Sequence, residues 1–365
     1  MKNMIQFTGK NGEFQIAHLV QQNEWNFPVA NEEGIKSSVT QNFGGDCKLD
    51  QNHFLLEPVS IENLHNNRST RNIWCTVDGK DHYSLTGASA QNEYERFLGK
   101  EDDIVLDAGF MWQEVKRIIK DVELEATVRI FAPLGYGAEV MQVKIVNKGK
   151  DARKISVTPA IPLYGRSADN LRDHRHVTSL LHRIKTSENG VICKPVLSFD
   201  ERGHQKNNMI YYVAGSTENG ENPVSFFPTV ASFIGESGTF LAPEALAKNQ
   251  KGCGAGKEFA GEEALGAMTF AEIMLAPGQA REYIVVSGMT ESEEEITRTA
   301  EAFHTKEQAD AAFIKAKEYW NGLVNISFET GNPKEDSYLK WICFQPILRR
   351  IYGCSFLPYH DYGRG

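Results

Sequence analysis

"VELEATVRIFAP", residues 122–133, sets Val122, Leu124, Ala126, Val128 and Ile130 against Glu123, Glu125, Thr127 and Arg129. Apolar and polar residues alternate with period two, which is the pattern of a strand with one face on a core. The next stretch, residues 139–163, repeats it. Met141, Val143 and Ile145 share a face, Asn147-Lys148-Gly149 makes a turn, and Ile155 and Val157 begin a further strand. "MIYYVAG" (209–215) and "TFAEIMLAPGQAREYIVVSG" (269–288, with a Pro277-Gly278 turn) follow the same logic. Many short strands punctuated by turns, with few helical stretches, predict a mainly β fold: a large antiparallel β-sandwich filling residues 1–290. No fixed-period repeat points to a propeller or solenoid.

The pattern changes after residue 290. Residues 291–323 open with acids suited to a helix start. Ile296, Ala300 and Phe303, then Phe313, Ala316, Trp320 and Leu323, follow at helical spacing. This predicts a helical linker over 291–330. "NPKEDSYLKWICFQPILRRIYG" (332–353) starts a further helix with Asn332 as N-cap and Pro333 at the first helical position. Pro346 is expected to kink or reset it. Residues 331–365 then read as the opening of a helical domain, and Trp341 and Ile342 are expected to stay exposed unless another domain or partner covers them. The expectation is a truncated chain, or one half of a split protein.

With 365 residues, 41% hydrophobic and 24% charged, the composition is that of an ordinary globular protein of one large or two medium domains. A net charge of -9 argues against nucleic acid or an anionic membrane as the main partner. The N-terminus carries no apolar signal region, and no stretch approaches the roughly 18 apolar residues of a membrane span. The six cysteines are scattered without zinc-type spacing, so free thiols in a reducing cytoplasm are expected.

"YGRSADNLRDHRHVTSLLHR", residues 164–183, runs against the negative average. It gathers Arg166, Arg172, Arg175 and Arg183 with His174, His176 and His182, offset by Asp169 and Asp173. A metal site is disfavoured, since there is no HExxH and no carboxylate pair at ligand spacing, and four arginines would repel a divalent cation. No nucleophile motif is present. "GAGKEFAG" (254–261) lacks the spacing of a phosphate loop and reads as a surface loop, while Asp200, Glu201 and Asp361 read as ion-paired loop acids. The segment itself stays open between an arginine-rich site for anions or sugar hydroxyls and a solvated charged face, helical or extended.

Four stretches, residues 27–60, 64–75, 162–183 and 341–365, together resemble the glycoside hydrolase family 94 phosphorylases, which act on cellobiose, chitobiose and 1,2-β-oligoglucans. "YGRSADNLRDHRHVTSLLHR" and "LRRIYGCSFLPYHDYGRG" look closest to the 1,2-β-oligoglucan phosphorylase branch. The resemblance implies a β-supersandwich, a helical linker and the first helix of a truncated (α/α)6 barrel. It also implies inverting phosphorolysis of a β-glucoside to an α-sugar 1-phosphate, with inorganic phosphate as co-substrate and no metal or other cofactor. No catalytic residue falls in this chain, because the acid belongs to the rest of the barrel. The family's sandwich segment reaches the neighbouring active site in a homodimer, which implies Arg166, Asn170, Arg172, His174 and Arg175 as sugar contacts. Arg364 is implied at the site of the transferred glycosyl unit. A reading of another class is a non-catalytic glucan-binding or scaffold sandwich that pairs with a separately encoded barrel.

Overall fold

The period-two stretch forms a strand, Leu124–Phe131, whose residues Leu124, Ala126, Val128 and Ile130 are completely buried. Val122 falls just before it, in a short 3-10 turn that Glu123 closes in the left-handed region at φ 54°. The computed structural model describes residues 5–17, 25–59, 69–100, 104–168, 179–200 and 203–353. Among them, Leu124–Phe131 sits in the middle of an eleven-stranded antiparallel sheet. Before it come Gln6–Phe7, Phe14–Ala17, Ile104–Gly109 and Trp112–Ile119, in spatial order. After it come Ala138–Asn147, Ala280–Thr290, Ile210–Thr217, Gly190–Pro195, His182–Thr186 and Glu258–Ala260.

A second antiparallel sheet faces it, in the order Ser225–Thr229, Ala264–Thr269, Arg153–Leu163, Asn72–Val77 and Asp81–Ser84. Ile273–Leu275 also pairs with Arg153–Leu163. The main core lies between the two sheets. Val128, Val143, Val213 and Val285 of the large sheet meet Ile73, Val157, Ile161 and Met268 of the smaller one. Gly266 lets the layers approach, because a Cβ there would come within 2.2 Å of Val213 Cγ2. The protein is therefore mainly β and layered as a supersandwich.

Half-burial of the large sheet does not mean that its outer face meets water. The helices Glu293–Ala302 and Lys306–Leu323 lie across it, and Ile296, Phe303, Phe313 and Ala316 cover Val140, Ile210, Tyr212 and Val286. Arg129, on the polar side of the opening strand, packs its guanidinium 4.2 Å from the centre of the Phe313 ring and pairs with Glu114 at 2.7 Å. Of the helical residues read from spacing, Leu323 does not join the core: it is 41% exposed at the helix end.

The helix Pro333–Tyr352 has Asn332 as N-cap, accepting from the Lys334 N–H at 3.1 Å. Two expectations are corrected here. Pro346 does not reset the helix, which continues to Tyr352; the missing N–H would have met the carbonyl of Ile342, a half-exposed position open to solvent. Trp341 is not left bare: its Nε1 donates to the Gly12 carbonyl at 2.6 Å, and its ring meets Phe110 edge-on at 4.7 Å. Ile342, on the other side of the helix, stays 48% exposed.

A four-stranded sheet, Phe27–Ala30, Lys36–Val39, Gly45–Asp50 and His53–Leu56, is tied to the sandwich through charge. Arg71 and Glu139, both fully buried, form a two-pronged pair with Nε–Oε2 and Nη2–Oε1 at 2.8 Å. Arg71 also donates to the carbonyls of Asp46, Phe43 and Gly44, and Ser37 donates to Glu139. Tyr352 of the last helix donates to the Ser37 carbonyl at 2.8 Å, so the same network reaches the helical part.

Candidate functional site at the root of the basic segment

Residues 169–178, the centre of the basic segment, lie outside the described residues, and both flanks are held by backbone pairing. On the entry side, Tyr164 and Gly165 donate their N–H groups to the carbonyls of Leu55 and Phe54 at 2.7 and 3.0 Å. Phe54 N–H returns to the Arg166 carbonyl at 3.0 Å, and Ala168 N–H reaches the Gln51 carbonyl at 2.8 Å. The hairpin of the four-stranded sheet thus grips residues 164–168. On the exit side, Val196 N–H donates to the Leu181 carbonyl and Gly261 N–H to that of His182, both at 3.1 Å. Residues 182–186 are strand, which settles the helix-or-strand alternative for this end, and Leu180 points out at 58% exposure.

Gly165 shapes the turn between strand and segment. Its φ is +64°, and a Cβ would stand 3.1 Å from Pro195 Cγ and 3.4 Å from His182 Nε2. A side chain there is opposed both by backbone conformation and by its neighbours.

The side chains at the root are mostly internal. Arg166 is buried, with its guanidinium 4.8 Å from the centre of the Tyr164 ring and Nη2 3.6 Å from Glu263 Oε1. His182 is fully buried, and Tyr211 lies beside Gly165 at the same root. Burial, reinforced by the adjacent Arg166 guanidinium, pushes the His182 imidazole down to about 3, so it is neutral at physiological pH. Arg183, the next residue, faces out and donates Nη1 to the carbonyls of Leu180 and His182 at 2.9 Å each. The charge apparent in the sequence is therefore divided. One arginine is enclosed, one histidine is neutral, and one arginine faces solvent while bracing the chain.

This arrangement can hold both ends of the segment in place; the described residues do not supply acid–base or nucleophilic chemistry there. His182 stays neutral across the working pH range, and burial pushes Cys75 up to about 12 and Cys193 higher still, far from thiolate formation. Among the described residues no group of three His, Cys, Asp or Glu side chains could hold a metal ion. Of the residues named as sugar contacts, only Arg166 is described. Asn170, Arg172, His174, Arg175 and Arg364 lie outside the described residues, as do His176 and Asp361. Sequence reading missed Tyr211 and Glu263, which come from distant parts of the chain and carry no local motif, and the packing of Tyr164, the segment's first residue, against Arg166. It could have found the burial of His182, because His182, Ile184 and Thr186 occupy one face of an alternating strand.

A family model described as "Glycosyl hydrolase 94, supersandwich domain" matches residues 67–306, which include the basic segment and both its flanks but not the hairpin residues Gln51, Phe54 and Leu55 that grip it. No curated protein matches the chain. Among solved structures, a bacterial glucoamylase complexed with acarbose aligns at 10% identity and a TM-score of 0.46, over 93% of this chain and 41% of its own. A candidate kojibiose phosphorylase from the human microbiome aligns at 7% identity and a TM-score of 0.40, over 94% and 39%. An aldose epimerase homologue from C. elegans aligns at 10% identity and a TM-score of 0.36, over 73% and 98%. The chain thus spans about two-fifths of the length of the first two.

Proposed function

Because the chain belongs to the glycosyl hydrolase 94 family through its supersandwich domain, we propose that it is the N-terminal part of an inverting glycoside phosphorylase. The family match over residues 67–306, with the pinned basic segment inside it, is the observation that supports this reading. The substrate proposed is a β-1,2-linked gluco-oligosaccharide, cleaved by inorganic phosphate to α-glucose 1-phosphate. Phosphate is already an anionic nucleophile, so a single carboxylic acid, protonating the departing sugar oxygen, replaces the acid and base pair of an inverting hydrolase. That acid belongs to the barrel part of the enzyme, and the reaction needs no metal or organic cofactor.

In this reading the sandwich contributes sugar recognition across a homodimer. Asn170, Arg172, His174 and Arg175 touch the oligosaccharide, and Arg364 serves the transferred glucosyl unit. Arg166, enclosed by Tyr164 and Glu263, keeps the segment in register with its guanidinium turned inward. A cytoplasmic site of action agrees with the free thiols of Cys47, Cys75, Cys193, Cys253 and Cys343. Among the described residues no helix is long and apolar enough to cross a membrane.

The test is steady-state phosphorolysis by the full-length enzyme. Arg172→Ala and His174→Ala should raise KM for oligosaccharide while leaving KM for phosphate close to that of the parent. A loss confined to phosphate would place the segment in another subsite. Release of glucose 1-phosphate by the 365-residue chain alone would refute the placing of the acid outside it.

A further inference from the structure

On the outer face of the large sheet, a groove of about 670 Å³ runs beside the Glu293–Ala302 helix, bounded by the turn that joins His182–Thr186 to Gly190–Pro195. Its volume falls within the range of small-molecule sites. Ile192 and Ile296 form an apolar floor, and the remaining lining is almost all polar. Lys185, Ile192 and Glu293 continue into an adjoining recess of about 360 Å³ lined by Arg183, Lys194 and Glu258. Two joined recesses make an elongated furrow, the shape that suits a chain-like ligand.

The polar groups are arranged in a particular way. Asn189 Oδ1 accepts from Ser187 Oγ at 2.9 Å, and Gln308 Oε1 accepts from the Thr305 N–H at 2.9 Å. Both amides thereby spend their oxygens internally and keep NH2 groups to donate. Glu188 and Glu301, on opposite walls, are exposed carboxylates that only accept. His304, which lines the groove, packs against Gly220, where a Cβ would come within 2.7 Å of the ring, so a side chain at 220 would push the imidazole from its place in the wall.

Donors and acceptors in alternation, over an apolar floor, discriminate between ligand classes. An anion would find Lys185, Arg183 and Lys194 but also the more numerous carboxylates of Glu188, Glu258, Glu293, Glu294 and Glu301. A polycation would leave the amide donors unmatched, and a quaternary ammonium group would find no aromatic cage. A sugar hydroxyl both donates and accepts, and the C–H face of a pyranose suits an Ile192–Ile296 floor. We propose that this furrow is a second carbohydrate site, binding a neutral oligosaccharide apart from the basic segment. The choice of glucan as ligand rests on the phosphorylase reading.

The experiment is calorimetric titration of the 365-residue chain with a linear β-1,2-gluco-oligosaccharide. Asn189→Ala combined with Gln308→Ala, and separately Gly220→Val, should weaken binding by about tenfold or more. Glu301→Gln, which keeps an acceptor and loses a charge, should stay within about twofold of the parent, and so should a rise in salt from about 0.05 to 0.5 M. Gly220→Val, at φ +81°, and Gln308→Ala, which opens the capping box with Thr305, should lower the thermal midpoint, so each titration is run well below the variant's own midpoint; Gln308 and Glu301 are exposed and their changes avoid the core. Failure of the chain to bind, or groove variants that bind like the parent while Arg172→Ala loses binding, overturns the groove. The second outcome leaves the family reading intact, since that reading is tested by phosphorolysis in the full-length enzyme. Tight, salt-sensitive binding of spermine in place of sugar overturns it as well.

Discussion

His182→Gln converts the pH response of this fold into a measurable quantity. The imidazole is fully buried beside Arg166, and its folded value lies at about 3 against an ordinary 6.5. The sign follows from where the proton binds. As pH falls below 6.5 the unfolded chain takes up a proton that the native state refuses until about 3. The neutral ring therefore contributes stability that is complete above 6.5 and is lost progressively on the way down to 3. At pH 5 the unfolded histidine is about 1.5 units below its midpoint, which at 1.36 kcal/mol per unit makes a loss of about 2 kcal/mol relative to pH 7. Glutamine has a similar size and cannot titrate. Urea unfolding of both proteins at pH 7 and pH 5, with the slope of the transition checked for constancy, isolates the term, because every other group cancels in the comparison. The parent should lose about 2 kcal/mol more than His182→Gln over this interval. Parallel losses in the two proteins would refute the buried, neutral histidine and with it the account of the segment's root.

Asp46 works in the opposite direction. Burial raises its carboxyl to about 6, so it contributes most below the unfolded value of 3.8 and loses that contribution as pH rises through 6. Relative to Asp46→Asn, the parent should gain about 1 kcal/mol between pH 7 and pH 5 in the same urea assay. Glu139→Ala leaves the Arg71 guanidinium buried without its carboxylate and should cost about 3–5 kcal/mol, whereas Arg71→Met with Glu139→Leu should recover most of that loss in thermal unfolding. Gly165→Ala should destabilise by about 1 kcal/mol or more, since its φ is +64° and Pro195 stands 3.1 Å from the new Cβ.

Several of these features were legible in the chain and several were not, for reasons that differ residue by residue. Alternation over 124–131 and 139–147 specifies strands, because a period of two sends every second side chain to the same layer. Asn332 and Pro333 specify a helix start by local hydrogen bonding and a preset φ. Trp341 could not be read this way. Its exposure depends on Phe110 and the Gly12 carbonyl, more than 200 residues earlier, and a spacing rule carries no information about them. The basic segment shows the same limit. Charge counted along 164–183 treats Arg166, His182 and Arg183 alike, yet one is enclosed against Glu263, one is neutral and one faces water.

By itself the sequence determined several elements, among them the strands over 124–131 and 139–147 and the helix start at Asn332–Pro333, and that a mainly β layer precedes the helices. These are short-range consequences of periodicity, capping and turn chemistry. The tertiary structure alone decided which strands lie together in the eleven-stranded sheet, and that linker helices cover its polar-looking face. It also decided that Arg71 meets Glu139 across 68 residues, and how much charge the basic segment retains. The physical reason is that burial and pKa depend on what the rest of the chain places within a few ångströms, and that neighbourhood is assembled from residues far apart in sequence.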